Sequence, residues 1–140
     1  MTLANGIETQ DIEVWTEGSK IVFVGKPTAE ELDGKIFERE YDLKGNLLMP
    51  SFKNAHTHSA MTFLRSYADD MPLQDWLFKQ IFPMEAKLDG EKVYWLTKLA
   101  ILEYLTTGCT AAFDMYFELD DYVKACVESG FRSVLCGAVS

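Results

Sequence analysis

Hydrophobic and polar residues alternate along the first fifty positions, which is the pattern of short strands. Residues 11–15 (DIEVW) and 20–25 (KIVFVG) carry β-branched and aromatic side chains, and the Gly-Ser pair between them favours a hairpin turn. Residues 35–45 alternate again and predict a further strand, and the apolar run at 46–52 predicts one more. We therefore expect a small antiparallel β module that leads into the rest of the chain.

The apolar period changes to that of helices in the middle of the chain. Residues 71–83 place apolar side chains at helical spacing, with Pro72 near the start and Pro83 after the predicted end. A longer helix is predicted at 90–108, because this segment lacks proline and is rich in Leu and Ala. Gly108 is a residue type that commonly ends a helix.

Two buried strands and a third helix follow. Residues 109–116 and 131–140 are mostly apolar, and residues 118–130 have acids in the first helical turn and glycine at the end. Apolar strands that alternate with helices predict parallel pairing and right-handed crossovers, which is an α/β fold. Three parallel strands leave two bare edges, so we expect the front part of a larger protein.

The predicted helix between Glu91 and Thr107 is apolar on nearly every side. A helix of this kind is normally covered on every side. One face is expected to pack on the sheet, and the other on a neighbouring element, a further domain or a second copy in a homodimer.

Charge and composition exclude several classes of protein. Among 140 residues there are 22 acidic and 13 basic side chains, so the net charge is −9 and nucleic-acid binding is disfavoured. No run approaches the length of a membrane span, and the first residues lack the pattern of a signal peptide. The composition predicts a globular cytoplasmic protein with no membrane or nucleic-acid partner.

The three cysteines predict free thiols. Cys109, Cys126 and Cys136 are odd in number, form no C-x-x-C pair and lie among apolar residues. Buried thiols in a reducing compartment are the simplest interpretation, and a catalytic thiol is disfavoured.

Both histidines of the chain, His56 and His58, lie in one three-residue stretch after an apolar run. Residues i and i+2 of a strand share a face and lie about 6.6 Å apart, so two such imidazoles can bind one metal ion. Their place at the carboxyl end of a strand is where α/β sheets hold their chemistry. Because H-x-H is a short pattern, a pair of solvated rings remains the alternative.

The segment that contains the histidines resembles a known family. Residues 47–88 are similar to the first-strand region of the amidohydrolase superfamily, and within its deaminase and chlorohydrolase branch to the 5′-methylthioadenosine/S-adenosylhomocysteine deaminases. The resemblance runs from about Ile12 to Ser140. The residues that carry the motif are Pro50, Ser51, Phe52, Asn54, His56, His58, Asp69, Asp70, Trp76 and Leu77.

The resemblance implies a fold and a site. Residues 1–50 would be part of a composite β-sandwich, and residues 51–140 the first β/α units of an incomplete (β/α)8 TIM barrel. The implied cofactor is one divalent metal ion, zinc or alternatively iron, with His56 and His58 as two ligands. Glu85 would bind the ribose hydroxyls of a small-molecule substrate. The remaining ligands and the acid/base residues would come from later strands, so this chain is predicted to hold no catalytic residue and to be inactive alone.

Other positions keep two interpretations each. Asp114 is either a residue at the barrel mouth that orients a ligand or a turn acid that ends a strand. Asp69 and Asp70 are either a carboxylate site or solvated. Arg65 is either a substrate contact or a surface charge.

The chain departs from the family pattern near both ends. Residues 1–10 lack the usual apolar strand, and Cys136 and Gly137 stand near the place where the deaminases often have a substrate-binding arginine.

The predicted function is that of a metal-dependent hydrolytic deaminase that releases ammonia from an aminopurine nucleoside such as 5′-methylthioadenosine or S-adenosylhomocysteine. One alternative is another amidohydrolase, acting on guanine, cytosine or a triazine. Another is a non-catalytic truncated module that binds a partner through its sheet edge.

Overall fold

The computed structural model describes residues 11–137, which form two compact units. One unit ends at Pro50 and the other begins at Ser51. The assignment of these units to a β-sandwich and a barrel stays a prediction. The expectation about residues 1–10 lies outside the described residues, as do the last three positions of the final predicted strand.

The first unit contains the predicted hairpin. Strands β1 (Glu13–Glu17) and β2 (Lys20–Gly25) pair antiparallel, and Gly18 takes a positive φ of 56° in the turn. Trp15 on β1 stacks on Phe23 of β2, with ring centroids 4.3 Å apart. Aromatic pairs of this kind stabilise a two-stranded ribbon that buries little else.

A short helix, α1 (Ala29–Leu32), follows the hairpin and was missed at the level of sequence. Thr28 and Glu31 form a capping box, in which each side chain accepts from the other residue's backbone N–H. The T-x-x-E signature was present in the sequence and predicts this start.

The predicted strand at 35–45 is wrong, because the described residues between α1 and Ser51 contain no strand. Phe37 packs on Trp15 of β1, with ring centroids 5.2 Å apart, but Ile36 is 95% and Tyr41 77% exposed. Lys44 and Gly45 have positive φ values of 50° and 78°, which form a turn where the strand was expected to end. Alternation alone does not produce a strand without a partner to pair with.

The second unit is built on a parallel sheet. Strands β3 (Phe52–Thr57), β4 (Cys109–Tyr116) and β5 (Arg132–Gly137) pair in sequence order, as the alternation of strands and helices predicted. The first of these begins at Phe52, later than the apolar run at 46–52 suggested. Its first N–H donates to the carbonyl of Gly108, 2.9 Å away.

A continuous helical segment replaces the predicted helix at 71–83. It comprises α2 (Leu73–Asp75), a π-helix (Trp76–Ile81) and α3 (Phe82–Glu85), and it passes through Pro83. The N–H of Phe82 bonds to the carbonyl of Leu77, five residues back. Proline normally ends a helix, because it has no N–H to donate and its ring clashes with the preceding turn. We attribute the continuation through Pro83 to the wider turn just before it, which changes the carbonyls available as acceptors.

Two long helices cover one face of the sheet. Helix α4 (Gly90–Thr106) is capped by the Asp89 side chain, and it packs against α5 (Leu119–Ser129), against β4 and against a 3-10 helix (Ser59–Leu64). The shared core contains Ala60, Val93, Ile101, Ala112, Tyr116, Tyr122, Cys126 and Phe131.

Coverage of α4 and of the strands is one-sided within residues 11–137. Ile101 is 3% exposed, whereas Trp95 and Leu102 on the outer side are 62% and 59% exposed. On β4 the helix-facing residues are buried, but Phe113 and Met115 are largely exposed. The described residues therefore leave the outer side of α4 and one face of the sheet uncovered, and their cover by a further domain or a second copy stays a prediction. None of the described helices is both long and apolar enough to cross a membrane.

Candidate metal centre

The two histidines lie side by side at the end of β3. His56 is in the strand and His58 follows one residue past its end. The centroids of their rings are 5.1 Å apart, and the ring planes make an angle of 76°. His56 is exposed and His58 half-buried. The i, i+2 spacing has brought the rings together, and both remain open to a ligand.

The His58 ring is held by the neighbouring strand. Its Nδ1 lies 2.8 Å from the carbonyl oxygen of Met115 on β4. Since a carbonyl oxygen only accepts, Nδ1 carries the hydrogen in this contact, and the lone pair of the neutral ring is on Nε2. Metal-binding histidines are commonly oriented in this way, by donation from the other ring nitrogen.

The backbone of His56 is fixed by Asn54. The Asn54 side-chain oxygen accepts the N–H of His56 at 3.1 Å. Asn54 also lies in the ladder opposite Ala112, and the pairing register is irregular between Asn54 and Thr57. The irregularity therefore includes His56 and lies at the end of the strand.

The donor set suits a metal but is incomplete. Neutral imidazole is a ligand for zinc, iron, nickel or copper. A zinc site that performs catalysis normally has three protein ligands and one open position. Among residues 11–137 no group of three His, Cys, Asp or Glu side chains is arranged to hold a metal ion. The pair thus fits as part of a metal site whose other ligands lie elsewhere.

Asp114 lies inside β4 and not in a turn that ends the strand. It is fully buried in the interior of β4, on the face toward the helices. Its Oδ2 accepts the N–H of Ser59 at 3.1 Å and the hydroxyl of Tyr122 at 2.6 Å. The alternation of the strand turns this carboxylate away from the side on which Phe113 and Met115 are exposed. The interpretation as a turn acid is therefore wrong, and the interpretation as a residue that orients a ligand stays a prediction.

Glu85 lies close to a residue that sequence reasoning missed. It is the last residue of α3 and is half-buried. Tyr116, the last residue of β4, is 3% exposed. Burial, together with the nearby Glu85 carboxylate, raises the pKa of the Tyr116 hydroxyl well above its ordinary value. The signal that could have found Tyr116 is its place at the carboxyl end of a strand beside the histidines.

The other candidate residues are on the surface. Arg65 donates to both carboxylate oxygens of Glu103, at 2.7 and 2.9 Å, which favours the interpretation as a surface charge. Asp69 and Asp70 are exposed and line a shallow depression with Trp76.

The three cysteines are free, as predicted. Cys109 and Cys126 are buried and Cys136 is half-buried. Burial raises the pKa of the Cys126 thiol, which disfavours its use as a nucleophile.

Sequence comparison identifies the family whose motif contains this histidine pair. Residues 47–139 match the Amidohydrolase family. The chain belongs to the amidohydrolase family. The match begins just before β3 and includes the histidines, Glu85 and the whole described parallel sheet.

Curated relatives of this amidohydrolase chain are named as deaminases. It is 44% identical over 123 residues to a 5-methylthioadenosine/S-adenosylhomocysteine deaminase of Desulfitobacterium hafniense. This match covers 88% of the chain and 28% of the relative. It is 56% identical over 94 residues to a 5'-deoxyadenosine deaminase of Methanospirillum hungatei, which covers 67% of the chain and 21% of the relative. The chain therefore spans less than a third of the length of these relatives.

Solved structures share the fold of the amidohydrolase chain. An adenosine deaminase from Xanthomonas campestris with bound zinc is 33% identical, with a TM-score of 0.72 over 90% of this chain and 29% of that one. An atrazine chlorohydrolase from Arthrobacter aurescens, complexed with zinc, has a TM-score of 0.79 over 96% of this chain and 32% of that one. The second is 21% identical, so it supports the α/β fold alone.

Proposed function

We propose that the chain is part of a metal-dependent hydrolytic deaminase that releases ammonia from an aminopurine nucleoside, and that it is inactive by itself. The observation that carries the proposal is the pair of open imidazoles at the end of β3, with the tautomer of His58 set by Met115. A strand end with two oriented imidazole ligands fits the relatives' naming as deaminases and the zinc named with a related adenosine deaminase.

In this proposal His56 and His58 hold one divalent ion, zinc or alternatively iron. A bound ion of this kind supplies an acidic water at neutral pH. The part played by the chain's own residues is orientation. Met115 keeps the Nε2 lone pair of His58 free, Asn54 fixes the backbone of His56, and the remaining ligands come from outside residues 11–137.

The proposed architecture is a (β/α)8 barrel of which β3, β4 and β5 are the first strands, with the first unit as part of a β-sandwich. Helices cover one face of the sheet, and Phe113 and Met115 are exposed on the other. A parallel sheet is normally covered on both faces, as it is when it closes into a barrel.

Glu85 is proposed to bind the ribose hydroxyls of the substrate. A carboxylate can accept hydrogen bonds from two adjacent hydroxyls. Glu85 ends the helical segment that follows the histidines and lies close to Tyr116 at the end of β4. This role favours a nucleoside over guanine, cytosine or a triazine, which have no ribose.

Metal analysis tests the core of the proposal. The complete protein, meaning the chain with any segment that continues it, is purified and its metal measured by mass spectrometry. We expect about one equivalent of zinc or iron per chain, with most of it lost in His56→Ala and in His58→Ala. A metal-free protein that forms a stable complex with a partner would instead favour the non-catalytic module.

Substrate selection is tested by ammonia release from 5′-methylthioadenosine, S-adenosylhomocysteine and 5′-deoxyadenosine, against guanine, cytosine and atrazine. Glu85→Ala is expected to raise KM for the nucleosides by roughly 10- to 100-fold, the usual effect of losing hydrogen bonds to a charged group. Glu91→Ala, an exposed change at the start of α4, is the control and should leave KM unchanged. Equal effects of the two changes on KM would show that Glu85 does not bind the substrate.

A further inference from the structure

Asp114 and Met115 are consecutive residues of β4, and they contact consecutive residues at the end of β3. The carboxylate of Asp114 accepts the N–H of Ser59, and the carbonyl of Met115 accepts the Nδ1–H of His58. One contact holds the peptide that follows His58, and the other holds its ring. Because both acceptors belong to β4, this one strand holds both the backbone and the ring of His58.

The buried carboxylate of Asp114 is a costly feature of the core. A carboxylate that is withdrawn completely from water costs free energy unless its oxygens are fully hydrogen-bonded. Oδ2 of Asp114 has two donors, but Oδ1 has no partner among residues 11–137. A buried group that is only partly satisfied is more often retained for what it positions.

The two donors to Oδ2 come from different elements. Tyr122 on α5 donates from the helix layer, and Ser59 donates from the first residue of the 3-10 helix. Ser59 is 3% exposed, so bulk solvent does not reach it in the folded protein. Without the Asp114 acceptor, the peptide between His58 and Ser59 keeps the bond from the Met61 N–H to the His58 carbonyl, 2.9 Å away, but loses the restraint on its N–H side. The His58 ring can then move away from Met115.

We propose that Asp114 is a positioning residue for His58, which acts through the Ser59 N–H to keep the His58 Nε2 aimed at the metal. The inference rests on the proposed function for the metal, but the contact with Met115 can be measured without one. In this role Asp114, which is fully buried, acts through Ser59 and makes no contact of its own with the metal or the substrate.

Three variants of the complete protein separate positioning from stability. Asp114→Ala removes the acceptor of Ser59, and Asp114→Asn keeps a neutral acceptor of the same shape, which forms a weaker hydrogen bond. Tyr122→Phe is the matched control, because it removes the other donor from the same oxygen and leaves the Ser59 N–H its acceptor. It also removes the 3.4 Å contact of the Tyr122 hydroxyl with the Ser59 Oγ, which does not involve that N–H.

The first readout is the affinity for Zn²⁺, measured by competition with a chelator. Loss of a group that orients a metal ligand typically weakens binding by about 10- to 100-fold. We expect this loss for Asp114→Ala, a smaller loss for Asp114→Asn, and the parent affinity for Tyr122→Phe. Wild-type affinity in both Asp114 variants, or an equal loss in Tyr122→Phe and Asp114→Asn, would overturn the proposal. If Asp114→Ala does not fold, the comparison of Asp114→Asn with Tyr122→Phe decides.

The second readout is the tautomer of His58 in metal-free protein labelled with ¹⁵N-histidine, with the His58 signals identified by their loss in His58→Asn. The parent and Tyr122→Phe are expected to show hydrogen on Nδ1, and the Asp114 variants a mixture of tautomers. An unchanged tautomer in every Asp114 variant that folds would refute the positioning role. A protein that binds no metal but shows this tautomer shift would instead refute the proposed function and leave the positioning role intact.

Discussion

The hydroxyls of Thr57 and Tyr104 lie 2.6 Å apart, on the side of β3 that faces helix α4. Thr57 separates the two histidines in sequence, and strand alternation turns it away from them. The Tyr104 hydroxyl also lies 2.9 Å from the Ser59 Oγ. One phenol on the helix thus holds the residues between and after the histidines.

Tyr104→Phe is expected to lower the free energy of unfolding by about 1–3 kcal/mol, because two partly buried hydroxyls lose a hydrogen-bond partner. The measurement is urea denaturation followed by circular dichroism. Tyr94→Phe is the control, since its hydroxyl bonds only to the exposed side chain of Glu128. A loss in Tyr104→Phe no larger than in the control would contradict the importance of this contact.

Much of the second unit was predictable because its pattern is local. Strand β4 begins and ends where the apolar run at 109–116 does, and α5 lies within the predicted 118–130. In both, the boundary is set by residues next to it, such as Gly108 with a φ of 82° and Gly130 with a φ of 63°. The segment at 35–45 failed because a strand depends on a partner that the pattern does not reveal.

The candidate site was only partly predictable, for a related reason. The i, i+2 spacing determines that His56 and His58 share a face, so their proximity follows from sequence. The acceptors of His58 and Ser59 lie more than 50 residues away on β4. Which residue of β4 lies opposite the histidines depends on strand register, and that is fixed only in the folded sheet.

Alkaline pH is expected to destabilise the second unit. Burial raises the pKa of Tyr116 and of Tyr122, and the nearby Glu85 and Asp114 carboxylates act in the same direction. A raised folded-state pKa means that the unfolded chain releases its tyrosine protons first. The contribution of these tyrosines to the free energy of unfolding is therefore fully present below about pH 10. Above that pH the free energy of unfolding falls by about 1.4 kcal/mol per pH unit for each tyrosine.

The measurement for this pH effect is the free energy of unfolding at several pH values between about 9 and 11.5. Tyr122→Phe should remove about half of the slope above pH 10. The same slope in the parent and in the variant would show that Tyr122 does not contribute.

Arg65→Ala is expected to change little. The Arg65–Glu103 pair has good geometry, but the two side chains are 63% and 39% exposed, and exposed pairs contribute about 0–1 kcal/mol. Double-mutant cycles with Glu103→Ala at low and high salt would measure the coupling. In the complete protein kcat/KM should stay within about twofold of the parent, a ratio equivalent to about 0.4 kcal/mol. A large fall in kcat/KM would restore Arg65 as a substrate contact.

Adjacent positions on α4 offer a direct comparison of its two sides. Ile101 is 3% exposed and packs in the core with Val93 and Ala112, whereas its neighbour Leu102 is 59% exposed. Ile101→Ala should therefore cost about 2–5 kcal/mol through lost burial and the cavity it leaves, and Leu102→Ala less than about 0.5 kcal/mol. Urea denaturation of the 140-residue chain measures both. A cost for Leu102→Ala equal to that for Ile101→Ala would mean that the outer side of α4 is covered in the chain itself. If the cost of Leu102→Ala rises only in the complete protein, the cover lies in the segments that continue the chain or in a second copy, and dilution of the protein separates these two.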